Sequence, residues 1–470
     1  MRTEPLRYTD VMKIIILGAG QVGTALAEHL ATEHNDITII DINGDRLRSL
    51  QERMDILTIT GNGAHPNILR RGGAEDADML IAVTCHDEIN LVACQVAATL
   101  YQTPTKIARI RSLHYLAHEE LFGAAAFPID VLISPEQVIT NYITRLIEYP
   151  NALQVLDFCD QKLQLISIKA KANGGPLIGQ TVKSLSTHLI ENDAEIAAIF
   201  RDGTPIIPTG NTVIKPDDEI FFLAEYPHTH EVMRLFNPMI PTNRRVFIAG
   251  GGNIGTRLAT RLEKDFQVKI IDRNPIRIES LATHLVQSVV LQGDASDQTL
   301  LQSENIEETD VFCAVTSQDE TNILSALLAK KLGAKKVMAL ISRPSYLDLI
   351  TNSEIDLAIS PQQVTIGSLL THVRRGHIVN VHTLRGGTAE AIEIIVDGHK
   401  KNSKVIGHHI KAIPLPSEAT IIAIMRGNQV IMGHHNPVIE TQDRLIILLL
   451  DKRKIRQVER LFQQEVPIFG

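Results

Sequence analysis

One pattern occurs twice in this chain, and its repetition constrains the fold more than any single motif does. Residues 14–17 are a short apolar run; Gly18, Gly20 and Gly23 follow in G-x-G-x-x-G spacing, and Val22, Ala25, Leu26 and Leu30 then recur at helical intervals. The loop Gly250-Gly251-Gly252-Asn253-Ile254-Gly255 repeats Gly18-Ala19-Gly20-Gln21-Val22-Gly23 at an offset of 232 residues. A buried strand ending in a glycine turn and running into an amphipathic helix is the opening of a Rossmann unit. The first glycine permits the turn, the second lets the backbone approach a pyrophosphate, and the third lets helix pack on strand. A phosphate would lie at the helix N-terminus, where unpaired N–H groups and the helix dipole favour negative charge.

A second apolar strand, 37–40, ends in Asp41, at about the ~20-residue distance expected of an acid that hydrogen-bonds a ribose 2′-hydroxyl. Capping of the following helix is the other reading of Asp41. An acid here would repel a 2′-phosphate, which favours NAD over NADP. Asp272 matches Asp41 and is followed by Arg273; Gly293-Asp294-Ala295 answers Gly61-Asn62-Gly63. Thr84, Asp87, Glu88 and Asn90 return at the same offset as Thr316, Asp319, Glu320 and Asn322. Apolar runs at 56–60, 79–83, 106–110 and 131–133 complete the strands of the first copy, which predicts a doubly wound parallel sheet with its ligand crevice at the carboxyl ends of the strands. Arg109 falls at one of those ends, where it would reach a ligand phosphate or pair with a surface acid. Leu340 or Ile341 holds its register in the second copy. Thr84 and Cys85 end another strand.

Between the two copies the pattern changes. Ile139, Tyr142, Ile143 and Leu146 fall at helical spacing on one apolar face, and Ile366, Leu369, Leu370 and Val373 repeat that face. Short strands follow at 163–168, 196–200, 205–207 and 219–224, with Asp202-Gly203 as a hairpin signal. This small α+β unit also recurs, since Ala198-Ile199-Phe200-Arg201 corresponds to Ala423-Ile424-Met425-Arg426 and Asp218 to Asp443. The expected organisation is an N-terminal extension (1–11), a Rossmann domain (12–135), a crossover helix (136–152), a small domain (153–237) and a linker (238–244). A second Rossmann domain (245–361), crossover helix (362–376) and small domain (377–460) follow, then a tail (461–470). Met12 directly precedes the first strand, so Met1 and Met12 are alternative starts.

Composition narrows function. The net charge of −8 comes without a long basic run, which argues against a nucleic-acid partner. The longest aliphatic run, 445–450, is far short of the ~20 residues of a spanning helix, and the polar N-terminus lacks the apolar core of a signal peptide, so a cytoplasmic protein is expected. The 4 cysteines form no C-x-x-C pair, which fits reduced thiols and no zinc site. Histidines crowd the C-terminal quarter (His372, His377, His382, His399, His408, His409, His434 and His435) without partners at metal-ligand spacing. No nucleophile elbow, P-loop or H-E-x-x-H is present. Two sensing sites therefore fit the duplication better than two active sites, with a soluble NAD-dependent dehydrogenase as the alternative.

The order of all four domains, the run Gly18 to Gly23, Asp41, Ala108-Arg109-Ile110-Arg111 and the run Gly250 to Gly255 together resemble the TrkA family of Trk-type potassium uptake, built from tandem RCK (KTN) domains each with an RCK C-terminal domain. The resemblance implies a non-enzymatic regulatory subunit that assembles as a homo-oligomeric ring under a membrane-embedded potassium-translocating subunit. It would associate peripherally with the cytoplasmic face of the inner membrane and bind NAD(H) and, in related proteins, ATP or ADP. The implied first site is Gly18, Ala19, Gly20, Gln21, Val22, Asp41, Thr84, Cys85 and Arg109. The second is Gly250, Gly251, Gly252, Asn253, Ile254 and Asp272, with Gly293, Asp294 and Thr316 nearby. Rossmann domains are expected to pair through the apolar faces 139–146 and 366–373. The architecture itself does not specify the transported ion, so regulation of another transport system is a third reading.

Overall fold

Four consecutive aliphatic residues, Ile14 to Leu17, make a strand that has no polar face to present to water, and in the structure each is at most 2% exposed. Such a strand is stable only in a parallel sheet covered by helices on both sides. The computed structural model describes residues 11–33, 35–123, 126–170, 178–191, 193–236, 244–350, 353–373, 378–400 and 402–462. The extension at 1–10, the linker residues 238–243, His377 and the tail beyond 462 lie outside them.

The first unit, residues 1–138, contains β1 (Lys13–Leu17), β2 (Asp36–Asp41), β3 (Leu57–Thr60), β4 (Met79–Ala82), β5 (Thr105–Arg109) and β6 (Val131–Ile133). They form one parallel sheet in the order β3-β2-β1-β4-β5-β6. Strand order reverses between β1 and β4, so the carboxyl ends of these two strands flank the crevice where ligands of such sheets bind.

The second unit, from residue 139 onward, holds three sheets. β7 (Ala152–Phe158), β8 (Leu163–Lys169), β9 (Ala194–Arg201), β10 (Thr204–Ile206) and β11 (Glu219–Glu225) form an antiparallel sheet ordered β10-β9-β11-β8-β7. The hairpin between β9 and β10 turns on Asp202 (φ 48°) and Gly203 (φ 80°), as the Asp-Gly pair predicts. β12 (Arg245–Ala249), β13 (Gln267–Asp272), β14 (Val289–Gln292), β15 (Val311–Ala314), β16 (Lys336–Leu340) and β17 (Leu357–Ile359) rebuild the parallel sheet in the equivalent order. β18 (Ile378–Leu384), β19 (Ala389–Ile395), β20 (Ala419–Arg426), β21 (Gln429–Met432) and β22 (Arg444–Leu449) rebuild the antiparallel one. The expected α/β class with tandem Rossmann and small α+β domains is therefore observed. Even local irregularities repeat: β11 breaks register against β9 at Phe221/Phe222, and β20 breaks it against β22 at Ile421/Ala423.

The copies differ where chemistry requires it. The first small domain has a helix at Val182–Glu191, whereas the second has only a 3₁₀ turn at Ile410–Ala412. Pro414 and Pro416 stand 225 residues after Leu189 and Glu191, and proline inside a helix removes an amide donor and clashes with the preceding turn.

Ile139, Ile143 and Leu146, expected above to form a face through which Rossmann domains pair, are 2%, 1% and 0% exposed, in a cluster with Ile166 and Phe222 of the first antiparallel sheet and Ile248 of the second parallel sheet. Ile366, Leu369, Leu370 and Val373 are likewise buried. These faces are already covered within one chain, because the small domain arrives directly after each helix and needs an apolar surface to close its own sheet. Among the described residues, no helix is long and apolar enough to cross a membrane.

Candidate functional site

The first site is built from the ends of four parallel strands. β1 ends in Gly18, whose φ of 107° is strained for any residue with a Cβ; a Cβ there would lie 3.1 Å from the Thr84 backbone at the end of β4. The chain then enters the helix Gln21–Ala31, which contains Val22 and has Gly20 as its N-cap residue without a side-chain cap. A Cβ on Gly23 would sit 1.9 Å from the Gly18 carbonyl oxygen, whereas one on Gly20 would meet nothing within 4 Å. The protein's own packing thus requires glycine at positions 18 and 23 but not at 20.

Asp41, at the end of β2, accepts from the Ala19 N–H through Oδ2 at 2.6 Å and from the Asn43 N–H through Oδ1 at 2.7 Å. It is not the helix cap: Asn43 is, accepting from the Asp45 and Arg46 N–H groups at 3.0 and 3.1 Å. Asp41 is instead fastened to the glycine turn. Thr84 Oγ1 donates to Asn90 Oδ1 at 2.7 Å, and Asn90 Nδ2 donates to the Arg109 carbonyl at 2.9 Å. Asn90 is fully buried and ties the end of β4 to the end of β5. Asp87 holds the next loop, accepting from the Arg111 and Ser112 N–H groups at 3.0 and 2.8 Å. Cys85 is exposed beside this network.

Arg109 closes β5. Its Nη2 lies 3.5 Å from Glu136 Oε1, which Arg111 Nε approaches to 3.1 Å. Arg109 Nε is buried and has no hydrogen-bond partner. Burial holds the Arg109 pKa below its ordinary value, with Glu136 opposing and Arg111 reinforcing that shift; the guanidinium remains charged. Two arginines thus share the Glu136 carboxylate, with the Asp87 carboxylate also acting on Arg109.

The second site repeats the frame and changes the charges. Gly250 has a φ of 114°, a Cβ on Gly255 would meet the Gly250 carbonyl oxygen at 1.8 Å, and one on Gly252 would again meet nothing. Asn253 and Ile254 begin the helix Asn253–Leu262. Asp272 accepts from the Gly251 N–H at 2.7 Å and the Asn274 N–H at 2.8 Å, and Thr316, Asn322 and the Leu340 carbonyl reproduce the strand tie at 2.7 and 2.8 Å. The hydrogen bond from the Asn322 side chain fixes Leu340, not Ile341, as the counterpart of Arg109. Where Arg111 meets Glu136, the second copy has Ser342 and Gln362, joined by a neutral bond from Gln362 Nε2 to the Ser342 carbonyl at 2.7 Å. Positive charge sits instead beside the acid: Arg273 pairs with Asp294 at 2.6 Å and Arg277 approaches Asp272 at 3.4 Å. A Cβ on Gly293 would lie 2.3 Å from Leu300 Cδ2, the end of a flexible side chain.

Asn90, Asn322, Glu136 and Asp87 are the parts of this geometry that the site residues proposed from sequence do not include. The signal for the asparagines was their return at one offset. Among the described histidines of the C-terminal quarter, His382 bonds the Asp157 carbonyl at 3.0 Å, His409 the Asn436 carbonyl at 2.7 Å, and His434 lies 3.2 Å from Glu195 with its ring centre 4.1 Å from that of His435.

Fold and sites together define a class, a duplicated Rossmann protein in which each parallel sheet with a glycine turn and an adjacent acid is followed by a small antiparallel domain. The TrkA-N domain model matches residues 14–135 and 246–361, and the TrkA-C domain model residues 168–237 and 400–463. The chain belongs to the TrkA family of Trk system potassium uptake proteins. It is 56% identical over 458 residues to the Trk system potassium uptake protein TrkA of Halomonas elongata, covering 97% of this chain and 100% of the relative. It is 53% identical over 459 residues to that of Vibrio alginolyticus, with 97% and 100% covered. The fold is shared with a solved GsuK channel bound to NAD, at a TM-score of 0.61 and 18% identity, covering 97% of this chain and 80% of that one.

Proposed function

We propose that this chain is a nucleotide-sensing regulatory subunit of a Trk-type potassium uptake system. It would act at the cytoplasmic face of the inner membrane as a homo-oligomer beneath a membrane-embedded potassium-translocating subunit. The first site would hold NAD(H), and adenine nucleotides such as ATP or ADP would compete for the same frame. In this reading the Gly18 to Val22 turn receives the pyrophosphate, Asp41 faces the ribose hydroxyls, and Thr84, Cys85 and Arg109 border the ligand. Gly250 to Ile254, Asp272, Gly293, Asp294 and Thr316 would form the second site, whose neutral strand end suits a ligand with less negative charge there.

The observation that carries the proposal is the buried Arg109 Nε without an acceptor, tied through Asn90 to a strand end beside a glycine turn that is open over Gly20. A charged donor left unsatisfied is destabilising by itself, and a phosphate oxygen is an acceptor that Arg binds strongly. Sensing requires linkage, since a nucleotide biases the membrane subunit only if it binds two conformations of the assembly with different affinity.

The full chain titrated with NADH, followed by ligand fluorescence, is expected to bind, with Asp41→Ala and Arg109→Leu each weakening the first site about tenfold or more, roughly 1.4 kcal/mol. Absence of binding by the wild-type chain, or binding unchanged in both variants, would remove the proposal.

A further inference from the structure

The proposed nucleotide crevices lie at the carboxyl ends of the parallel strands. At the amino ends the two parallel sheets are not alike. In the first sheet the starts of β1, β2 and β3 border an open groove of about 680 Å³, floored by Ile14, Ile37 and Ile56. Ala31, Thr38 and Gly72 also line it. Their counterparts in the second sheet are all long and charged. Glu263 stands at the place of Ala31, and the strand register puts Lys269 at that of Thr38. Glu304 ends the helix Gln298–Ser303 as Gly72 ends the helix Pro66–Arg71.

Those three side chains fill the second copy from within. Glu263 Oε2 accepts from the Val286, Gln287 and Ser288 N–H groups at 3.1, 2.9 and 3.2 Å. Lys269 Nζ donates to the Glu304 carbonyl at 2.7 Å and to Glu304 Oε2 at 2.9 Å. In the first copy alanine, threonine and glycine leave this space open, and Thr38 provides no ammonium for the Gly72 carbonyl. The rim changes as well. Asp36 and Asp55 answer to Gln267 and Gln287, so the first groove carries two carboxylates where the second copy has neutral amides. Asp76 is a third, 3.4 Å from Lys13, and Lys13 is the one cation among the described lining residues.

We infer that this groove is the docking site for a basic, extended segment from a cytoplasmic loop of the membrane-embedded partner, an inference that rests on the regulatory-subunit reading above. The second copy shows what suits the space: an ammonium on the carbonyl that ends the short helix. A lysine or arginine supplied from outside meets the equivalent carbonyl at Gly72, with Asp36 and Asp55 at the rim. Cytoplasmic loops of membrane proteins carry an excess of Lys and Arg, and complementary charge across an interface selects the partner and fixes its register. Leu57, 50% exposed at the lip, offers apolar surface to the neighbours of such a residue. The second copy fills its own groove, so each chain offers this seat once. It lies at the opposite edge of the sheet from Gly18 and Arg109, so the loop and a nucleotide do not compete for the same atoms.

The test moves the second copy's filling into the first copy of the full chain: Ala31→Glu, Thr38→Lys and Gly72→Glu. Gly72 has a φ of −77°, close to the −95° of Glu304, and a Cβ there first meets the flexible end of Ile40, at 2.9 Å. A second variant, Asp36→Lys with Asp55→Lys, reverses the rim at two exposed positions and leaves the floor untouched. Each protein is sedimented with vesicles of mixed zwitterionic and anionic lipid, with and without the reconstituted potassium-translocating subunit, and titrated with NADH alongside. Wild type is expected to sediment only with the subunit, and both variants to bind it at least tenfold more weakly with NADH affinity within twofold of wild type. Either variant sedimenting as strongly as wild type, the result if another segment of this chain fills the groove, would overturn the inference alone. Equal sedimentation on vesicles without the subunit would also overturn it, by making lipid the target. A wild-type chain that fails to sediment with the subunit would overturn the regulatory reading together with the inference.

Discussion

Gly23→Ala is expected to lower the melting transition of the first Rossmann domain by about 10 °C, whereas Gly20→Ala, three residues earlier in the same turn, leaves it in place. A methyl group on Gly23 would stand 1.9 Å from the Gly18 carbonyl oxygen. That contact is with backbone, so no side chain can swing away, and the helix must lift from β1. Overpacking of this kind costs about 3 kcal/mol, and a loss of that size in a domain of this length corresponds to roughly 10 °C. On Gly20 the same methyl group meets nothing within 4 Å, so stability is unaffected while the close approach of a ligand pyrophosphate to the turn backbone is blocked. Gly20→Ala should therefore weaken NADH binding about tenfold, or ~1.4 kcal/mol, without moving the calorimetric transition. Calorimetry and titration of both variants check the pair; a Gly23→Ala protein that melts like wild type would show that the turn is not packed as described.

Arg201→Ala is expected to destabilise the first small domain by about 3 kcal/mol at neutral pH, the cost of leaving a buried charge without its partner. Asp218 is wholly buried and is gripped by Arg201 through Nε and Nη2, both at 2.8 Å, while the Lys215 N–H donates to it at 2.8 Å. Burial acts to raise the Asp218 pKa, but Arg201 and the Lys215 amide outweigh it and hold the carboxyl below its usual value. A carboxyl depressed in the folded state stabilises above its unfolded pKa of about 3.9 and loses that contribution as pH falls through the lower folded value. Without Arg201 only the opposing effect of burial and one amide bond remain. The difference between variant and wild type should then shrink as pH falls from 7 to 3, measured as denaturation midpoints across that range. An equal difference at both ends would contradict it. The same clamp recurs as Arg426 on Asp443 at 2.9 and 2.8 Å.

Much of this was legible because duplication turns one chain into two readings of one pattern. The glycine turns, Asp41 and Asp272, and the strands that end in Thr84 and Arg109 announce themselves by apolar runs and fixed spacing. The Arg201 and Asp218 clamp was visible as a recurring pair, though not as a contact. β7 and β18 were not read as strands: β7 begins at Ala152, shortly after a helix that ends at Glu148, so the two periodicities run together. Asp41 was compatible with capping until the structure gave that task to Asn43. The groove at the amino ends of the first sheet was hidden for the opposite reason. Ala31, Thr38 and Gly72 differ from Glu263, Lys269 and Glu304, and a comparison that looks for repetition passes over them.

The most direct measurement of the central claim is potassium uptake at low external potassium in cells lacking this chain, complemented by wild type or by Asp41→Ala at equal protein level. Uptake lost in the deletion, restored by wild type and altered by Asp41→Ala is the expected result, and it would join the first glycine-turn site to potassium transport. Uptake unchanged by the deletion in cells without a redundant system, or restored equally by both proteins, would contradict it.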